Sequence, residues 1–108
     1  MEKITFENFQ KLDIRIATIL EAKPIPDTAK LLMLTVDAGN GPQTLVAGIA
    51  ETYKPEDLIN KQIPVLVNLE PKTIKEIESN GMILAIDIDN KAILLNPDKL
   101  VPNGSKIR

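Results

Sequence analysis

Polar side chains that can bind a ligand are concentrated between Asn68 and Ser79. This segment presents an amide at Asn68, ammonium groups at Lys72 and Lys75, and a hydroxyl at Ser79. Such groups form hydrogen bonds and ionic contacts. A working surface of this protein is therefore expected here, and the chemistry expected of it is binding.

Two apolar runs of strand length flank this polar segment. Residues 65–69 are too few for a helix of ordinary length and are rich in branched side chains, which indicates a buried strand. The second run, 82–86, follows Gly81, a residue that permits a sharp turn or a close approach of the backbone. We expect the polar segment to link two neighbouring strands at the rim of a sheet.

Composition argues against catalysis and against a metal or cofactor site. The chain has no Cys and no His, which removes thiol nucleophiles, imidazole bases and every usual zinc ligand except carboxylates. Among the 15 Asp and Glu residues no pair marks a cleft, and Asp87 and Asp89 are expected to face solvent beside a turn. We expect no catalytic residue, no bound metal and no cofactor.

Length and charge bound the remaining possibilities. A chain of 108 residues fits one domain, 1–108, that buries its own core. The net charge of −2 lacks the basic excess typical of nucleic-acid binders, so any such role depends on a local cluster.

No apolar run reaches the roughly 18 to 20 residues of a membrane span, and no signal-peptide pattern opens the chain. A soluble, cytoplasmic protein without a membrane partner is expected.

The remaining pattern predicts six strands and two short helices. Thr5 caps a helical turn that ends near Gln10, and Pro55 begins a second helix. Strands are expected over 12–22, 30–37, 43–49, 65–69, 82–86 and 91–95, and a less regular extension follows from residue 96. Antiparallel strands in this number close most economically into a barrel, and a helix after the third strand is the OB arrangement. The predicted fold is an all-β, five-stranded OB-fold barrel, while the pattern alone leaves a small β-sandwich open.

The few aromatic residues are expected to anchor a core or an interface. Phe6 and Phe9 are spaced to share one face, and Tyr53 is the only other aromatic residue.

Four separated motifs resemble one known family. They are Asp13–Ile19 (DIRIATI), Asp27–Leu32 (DTAKLL), Val46–Tyr53 (VAGIAETY), and Val67–Lys72 (VNLEPK) with Glu78–Met82 (ESNGM). In this order they are similar to the tRNA-binding domain at the C-terminus of bacterial methionyl-tRNA synthetases. The same module occurs as free-standing tRNA-binding proteins and in the endothelial monocyte-activating polypeptide. The resemblance extends from about Phe6 to Arg108.

The resemblance implies an OB-fold that binds folded tRNA by shape and backbone contacts, as a homodimer and without catalysis. It implies that the chain is the C-terminal domain or beta subunit of a methionyl-tRNA synthetase, with the catalytic part as a further partner, and it leaves open whether the chain is complete or an excised domain. Carried over by position, the RNA-binding residues are Lys30, Asn68, Lys72, Ser79 and Met82. With only three aromatic residues to stack bases, folded RNA is a better ligand than a single strand.

The chain also departs from the family pattern. Glu70 and Glu76 stand where basic or small residues are more common, and Ala17 and Ala47 replace residues that are more often Gly and Ser. Fewer phosphate contacts predict weak tRNA binding that falls steeply with salt.

Two alternative functions remain at the level of sequence. The first is a dimerisation module with little RNA affinity, whose interface would use Phe6, Phe9, Leu100, Val101 and Ile107. The second is a small chaperone-like OB-fold protein. Each proposed RNA-binding residue also has a structural interpretation: Asn68 or Ser79 can satisfy backbone groups at a turn, and Met82 can fill a core.

Overall fold

Strands make up most of the regular structure. The structure, a computed structural model, describes residues 1–108. It contains one α-helix, α1 at Phe6–Gln10, and one 3-10 turn at Pro55–Asp57. The ten strands are β1 Ile14–Pro24, β2 Leu32–Asp37, β3 Pro42–Ala47, β4 Gln62–Leu66, β5 Lys72–Ile74, β6 Ile77–Ser79, β7 Met82–Ile83, β8 Ala85–Ile88, β9 Lys91–Leu94 and β10 Lys106–Ile107.

The main sheet is built around β1. Its strand order is β3-β2-β1-β4-β7, and β10 also pairs with β1. The first part of β1 pairs with β4 and the later part with β2, and the register shifts between Ile19 and Glu21. A bulge of this kind bends its strand and increases the twist, so the sheet curls into a half-barrel. The mostly β fold predicted from the sequence is confirmed, and the curled sheet is consistent with an OB-like barrel.

A single apolar cluster fills the curled sheet. In β2 the buried residues alternate, because successive side chains of a strand point to opposite faces. The largest fully buried side chains are Ile19, Leu32, Leu34, Val36, Leu45, Ile49, Leu58, Ile63 and Val65. The core therefore connects the first four strands with the two loops that follow β3.

The strands that flank the polar segment differ from the prediction. β4 ends at Leu66 rather than at residue 69, and Asn68 lies in the turn that follows. The expected strand 82–86 is divided into β7 and β8, because the chain leaves β4 and continues as a separate hairpin with β9. The polar segment itself contains two strands that the pattern did not predict, β5 and β6.

The C-terminal extension is more ordered than predicted. The N–H of Gly104 donates to the carbonyl oxygen of Ile16 (2.8 Å), and the N–H of Ile16 donates to the carbonyl oxygen of Ser105 (2.9 Å). Nη1 of Arg15 also donates to the carbonyl oxygen of Gly104 (3.0 Å). These bonds hold the extension beside β1, where β10 forms.

Helix α1 lies outside the core. The Oγ1 of Thr5 accepts from the N–H of Asn8 (3.1 Å), as expected of an N-cap, but no residue of the helix is buried. Phe6 is 70% exposed and Phe9 is only half-buried. The core alternative for these two residues is therefore wrong, and the interface alternative stays a prediction.

Candidate nucleic-acid interface

The later part of the polar segment, 70–79, contains a tight hairpin. β5 and β6 pair Lys72 with Ser79 and Thr73 with Glu78, and the connecting turn consists of Lys75 and Glu76. Both turn residues have positive φ, 50° and 67°, which is typical of the two-residue turn that matches the twist of a hairpin. The hairpin therefore fixes which polar groups share a face.

Ser79 joins this hairpin to the main sheet. It is only 5% exposed. Its hydroxyl accepts from the N–H of Val46 in β3 (2.9 Å) and donates to the carbonyl oxygen of Gly81 (3.2 Å). The next residue extends the connection, because the N–H of Asn80 donates to the carbonyl oxygen of Thr44 (2.9 Å). The Ser79 hydroxyl thus supplies the partner that a strand neighbour would otherwise give to β3.

Gly81 allows the chain to pass close to β4. Its φ is +138°, and a Cβ at this position would lie 2.8 Å from the carbonyl oxygen of Leu66. No side chain fits this approach without a backbone shift. The sharp turn or close approach predicted for Gly81 is confirmed.

A groove forms where this hairpin meets β3 and β7. We call it the hairpin groove, and its cavity volume is about 190 Å³. Its lining residues are Val46, Leu69, Glu70, Lys72, Ile74, Ser79, Gly81 and Met82. Three of the five predicted RNA-binding residues, Lys72, Ser79 and Met82, therefore line one cavity.

The accessible groups of the hairpin groove are apolar and charged. Met82 is 46% exposed and Leu69 is 45% exposed, so the structure does not place Met82 in the core. Glu70 and Lys72 are also exposed. The only ion pairs in the structure are Arg15 with Asp13 and Lys23 with Glu21, so neither the Glu70 carboxylate nor the Lys72 ammonium is paired.

Asn68 borders the hairpin groove but uses its amide elsewhere. Its Oδ1 accepts from the N–H of Asp13 (2.9 Å), and its Nδ2 donates to the carbonyl oxygen of Lys11 (2.7 Å). The side chain therefore fastens the end of β4 to the segment between α1 and β1. It remains exposed, next to Leu69.

Lys30 is exposed but does not line the hairpin groove. Its carbonyl oxygen accepts from the N–H of Ala50 (3.0 Å), which places it just beyond the end of β3. Val46, the partner of Ser79, lies near the same end of β3. The segment that follows β3 therefore contacts Lys30, and Val46 within β3 lines the hairpin groove.

Five of the eight lining residues of the hairpin groove were not predicted as binding residues from the sequence: Val46, Leu69, Glu70, Ile74 and Gly81. One available signal was the apolar pair at 74 and 77 on either side of a two-residue polar turn, which indicates a hairpin. Glu70 was identified only as a departure from the family pattern. No local signal identifies Val46, because it reaches the groove through pairing of distant segments.

The structure offers no metal site and no membrane-spanning helix. No group of three or more Asp and Glu side chains is close enough to hold a metal ion. None of the helices has the length and apolar character needed to cross a bilayer.

Comparison with known proteins now decides the family. A family model described as "Putative tRNA binding domain" matches residues 14–106. The chain belongs to the tRNA-binding domain family. This confirms the resemblance based on the four motifs, and it identifies the chain as a non-catalytic domain of the kind found in methionyl-tRNA synthetase-like proteins.

Curated relatives are much longer than this chain. The methionine–tRNA ligase of Pyrococcus horikoshii is 47% identical over 108 residues, which is 100% of this chain and 15% of that protein. The methionine–tRNA ligase of Methanothrix thermoacetophila is 52% identical over 105 residues, 97% of this chain and 16% of that protein. The tRNA-binding domain thus spans about one sixth of the relatives it matches.

Solved structures match over the full length. A MetRS-related protein from Pyrococcus horikoshii superposes with a TM-score of 0.93 at 34% identity, covering 100% of both chains. The chaperone CsaA of Bacillus anthracis superposes with a TM-score of 0.90 at 35% identity, covering 99% of this chain and 100% of that one.

Proposed function

We propose that residues 1–108 form one domain that binds folded tRNA at the hairpin groove and the neighbouring Lys30. The observation that carries this proposal is the groove itself, which places an unpaired ammonium group and an exposed thioether beside the β5–β6 hairpin in a chain of the tRNA-binding family. Lys30 and Lys72 contact phosphates, and Met82 packs against a sugar or base. The scarcity of aromatic residues favours a folded RNA over a single strand.

Asn68 and Ser79 have a different role in this proposal. Their polar atoms are bonded to backbone groups, so their contact with RNA is secondary to holding the walls of the hairpin groove. Ser79 in particular presents very little surface. Both residues belong to the proposed RNA-binding surface as groups that hold its backbone in place.

The proposed setting is a methionyl-tRNA synthetase. Relatives bearing that name carry a matching region, and on that basis we propose the synthetase catalytic part as a partner and the cytoplasm as the location. A free-standing form of the domain is the alternative setting.

Equilibrium binding across salt tests the function. We expect tRNA to bind more tightly than a matched RNA duplex or single-stranded DNA, with affinity falling steeply as salt rises. Each phosphate-contacting lysine contributes roughly one unit to the slope of log affinity against log salt, so Lys30→Ala and Lys72→Ala should each reduce that slope by about one. Lys91→Ala, an exposed lysine of β9, is the matched control and should leave the slope unchanged.

Two results would contradict this function. One is tRNA binding that is equally strong at low and high salt, which would exclude phosphate contacts as its source. The other is suppression of the aggregation of an unfolded protein by a chain that does not bind tRNA, which would favour the chaperone alternative.

Dimerisation is a second function that exposed apolar surface supports. Phe6 is 70% exposed and Leu100 is 87% exposed. The rings of Phe6 and Phe9 stack with centroids 6.4 Å apart, and together with Ile107 they line a cavity of about 310 Å³ beside the C-terminus. Apolar patches near both termini are typical of an interface, and a symmetric dimer is the commonest assembly that covers them.

A further inference from the structure

Glu70 is the one exposed acceptor group among the side chains of the hairpin groove. The Ser79 hydroxyl already accepts from Val46 and donates to Gly81. Lys72 can only donate, and the other lining residues are apolar. Glu70 forms no ion pair, even though Lys72 lines the same groove. A ligand of this groove therefore meets a free carboxylate, a free ammonium group and two exposed apolar side chains.

The size of the hairpin groove limits its occupant. Its volume of about 190 Å³ is below the roughly 300 to 1,000 Å³ typical of sites for drug-sized ligands. One planar base fits this scale better than a dinucleotide. Leu69 and Met82 present the apolar surfaces that a base face needs, and proteins that read RNA sequence do so on unstacked bases of this kind.

We propose that the hairpin groove binds one unstacked guanine of the tRNA. Guanine carries two adjacent N–H donors on its Watson–Crick edge, at N1 and N2, and these match the two oxygens of the Glu70 carboxylate. Adenine and cytosine each offer an amino group without a second donor beside it. Lys72 contacts the phosphate of the same nucleotide, which offsets the repulsion between that phosphate and Glu70. This inference rests on the proposed function and adds base preference to it.

Mononucleotides test the base preference directly. Guanosine, inosine and adenosine 5′-monophosphates are titrated into the full chain, and amide NMR shifts of Gly81 and Met82 report occupancy of the groove. Because a bidentate contact discriminates by roughly tenfold or more, we expect guanosine monophosphate to bind about tenfold more tightly than the other two. Inosine lacks only the amino group at C2, so it isolates that contact. Equal affinities, or shifts absent from Gly81 and Met82, would overturn the inference.

A pair of glutamate substitutions separates base readout from general charge. Glu70→Gln and Glu78→Gln each remove one negative charge from the same hairpin, but Glu78 does not line the groove. We expect Glu70→Gln to weaken tRNA binding about tenfold with an unchanged salt slope and to lose the preference for guanosine monophosphate. Glu78→Gln should leave tRNA binding unchanged or tighten it. Tighter tRNA binding by both variants would assign Glu70 to charge repulsion alone and overturn the inference.

Competition between guanosine monophosphate and tRNA separates the two proposals. Guanosine monophosphate should displace tRNA from the wild-type chain if both use the hairpin groove. Undiminished tRNA binding at saturating nucleotide would overturn the guanine inference while leaving the proposed function in place. A wild-type chain that binds no tRNA at low salt would overturn both.

Discussion

At the scale of single residues, the hydroxyl of Ser79 takes the place of a strand partner. It satisfies the N–H of Val46 across 33 positions of sequence, at the junction between β3 and the hairpin. An N–H that loses its acceptor away from solvent costs about 1 to 3 kcal/mol, and the Val46 N–H is part-buried at this point. Ser79 therefore contributes to the stability of the fold as well as to the shape of the groove.

Substitution of Ser79 tests this role. Ser79→Ala should lower the free energy of unfolding by about 1 to 3 kcal/mol, because it leaves the Val46 N–H unpaired. The measurement is the midpoint of urea denaturation at an unchanged m-value. Ser105→Ala is the control: that hydroxyl donates to the carbonyl oxygen of Pro102 at the surface, so its loss should stay within about 0.5 kcal/mol. Equal losses in the two variants would contradict the assigned role.

Asn68 shows how a residue expected to bind RNA also organises the chain. Its amide forms hydrogen bonds with backbone groups of Lys11 and Asp13, which are 57 and 55 positions away in sequence. The alternative that Asn68 satisfies backbone groups at a strand end describes these bonds well. Its exposure leaves contact with RNA as a prediction.

At the scale of elements, the turn of the β5–β6 hairpin is conformationally strained. Lys75 and Glu76 both occupy the left-handed region, where non-glycine residues cost roughly 1 to 2 kcal/mol each. Two-residue turns of this type prefer Asn-Gly. The turn also lies beside the loop between β1 and β2, since Lys75 and Glu76 line a cavity of about 380 Å³ with Pro26 and Asp27 of that loop.

Glycine at the second turn position should relieve this strain. We expect Glu76→Gly to raise the free energy of unfolding by about 0.5 to 1 kcal/mol, part of the gain being offset by the greater freedom of glycine in the unfolded chain. Thermal or urea unfolding measures it. Thr73→Gly, in the strand of the same hairpin, should instead destabilise the protein, so stabilisation by both or neither would contradict a specific relief of strain at residue 76.

At the scale of the whole molecule, apolar surface near the two termini predicts self-association. If the patch around Phe6 is a dimer interface, Phe6→Ala should weaken the dimer by about 2 kcal/mol or more, roughly 30-fold in dissociation constant, because exposed aromatic anchors dominate interface energies. Sedimentation velocity over a range of concentrations measures the effect. Leu20→Ala, which truncates an apolar side chain of β1 that is exposed to a smaller extent, is the control.

The dimer prediction fails on either of two observations. A wild-type chain that sediments as a monomer at every concentration excludes the interface in this chain. A dimer that Phe6→Ala and Leu20→Ala weaken equally places the interface elsewhere.

Much of the architecture was predictable from local pattern. The strands expected over 30–37, 43–49 and 91–95 correspond to β2, β3 and β9 with ends that differ by at most two residues. The capping role of Thr5 was also correct. Such features depend on residues that are close in sequence, so the type and spacing of those residues predict them. The boundaries of β1 and β4 were less well predicted, because strand ends depend on where partner strands stop.

The amino-acid sequence by itself determined the strand-rich character, the absence of thiol and imidazole chemistry, and membership of the tRNA-binding family through four ordered motifs. Only the tertiary structure decided that Ser79 points inward, that Met82 remains exposed and that Glu70 shares a groove with Lys72. The physical reason is that the face a strand residue presents is set by register and pairing with distant strands. Those pairings join β3 to a hairpin more than 30 positions later, a distance at which local preference carries no information.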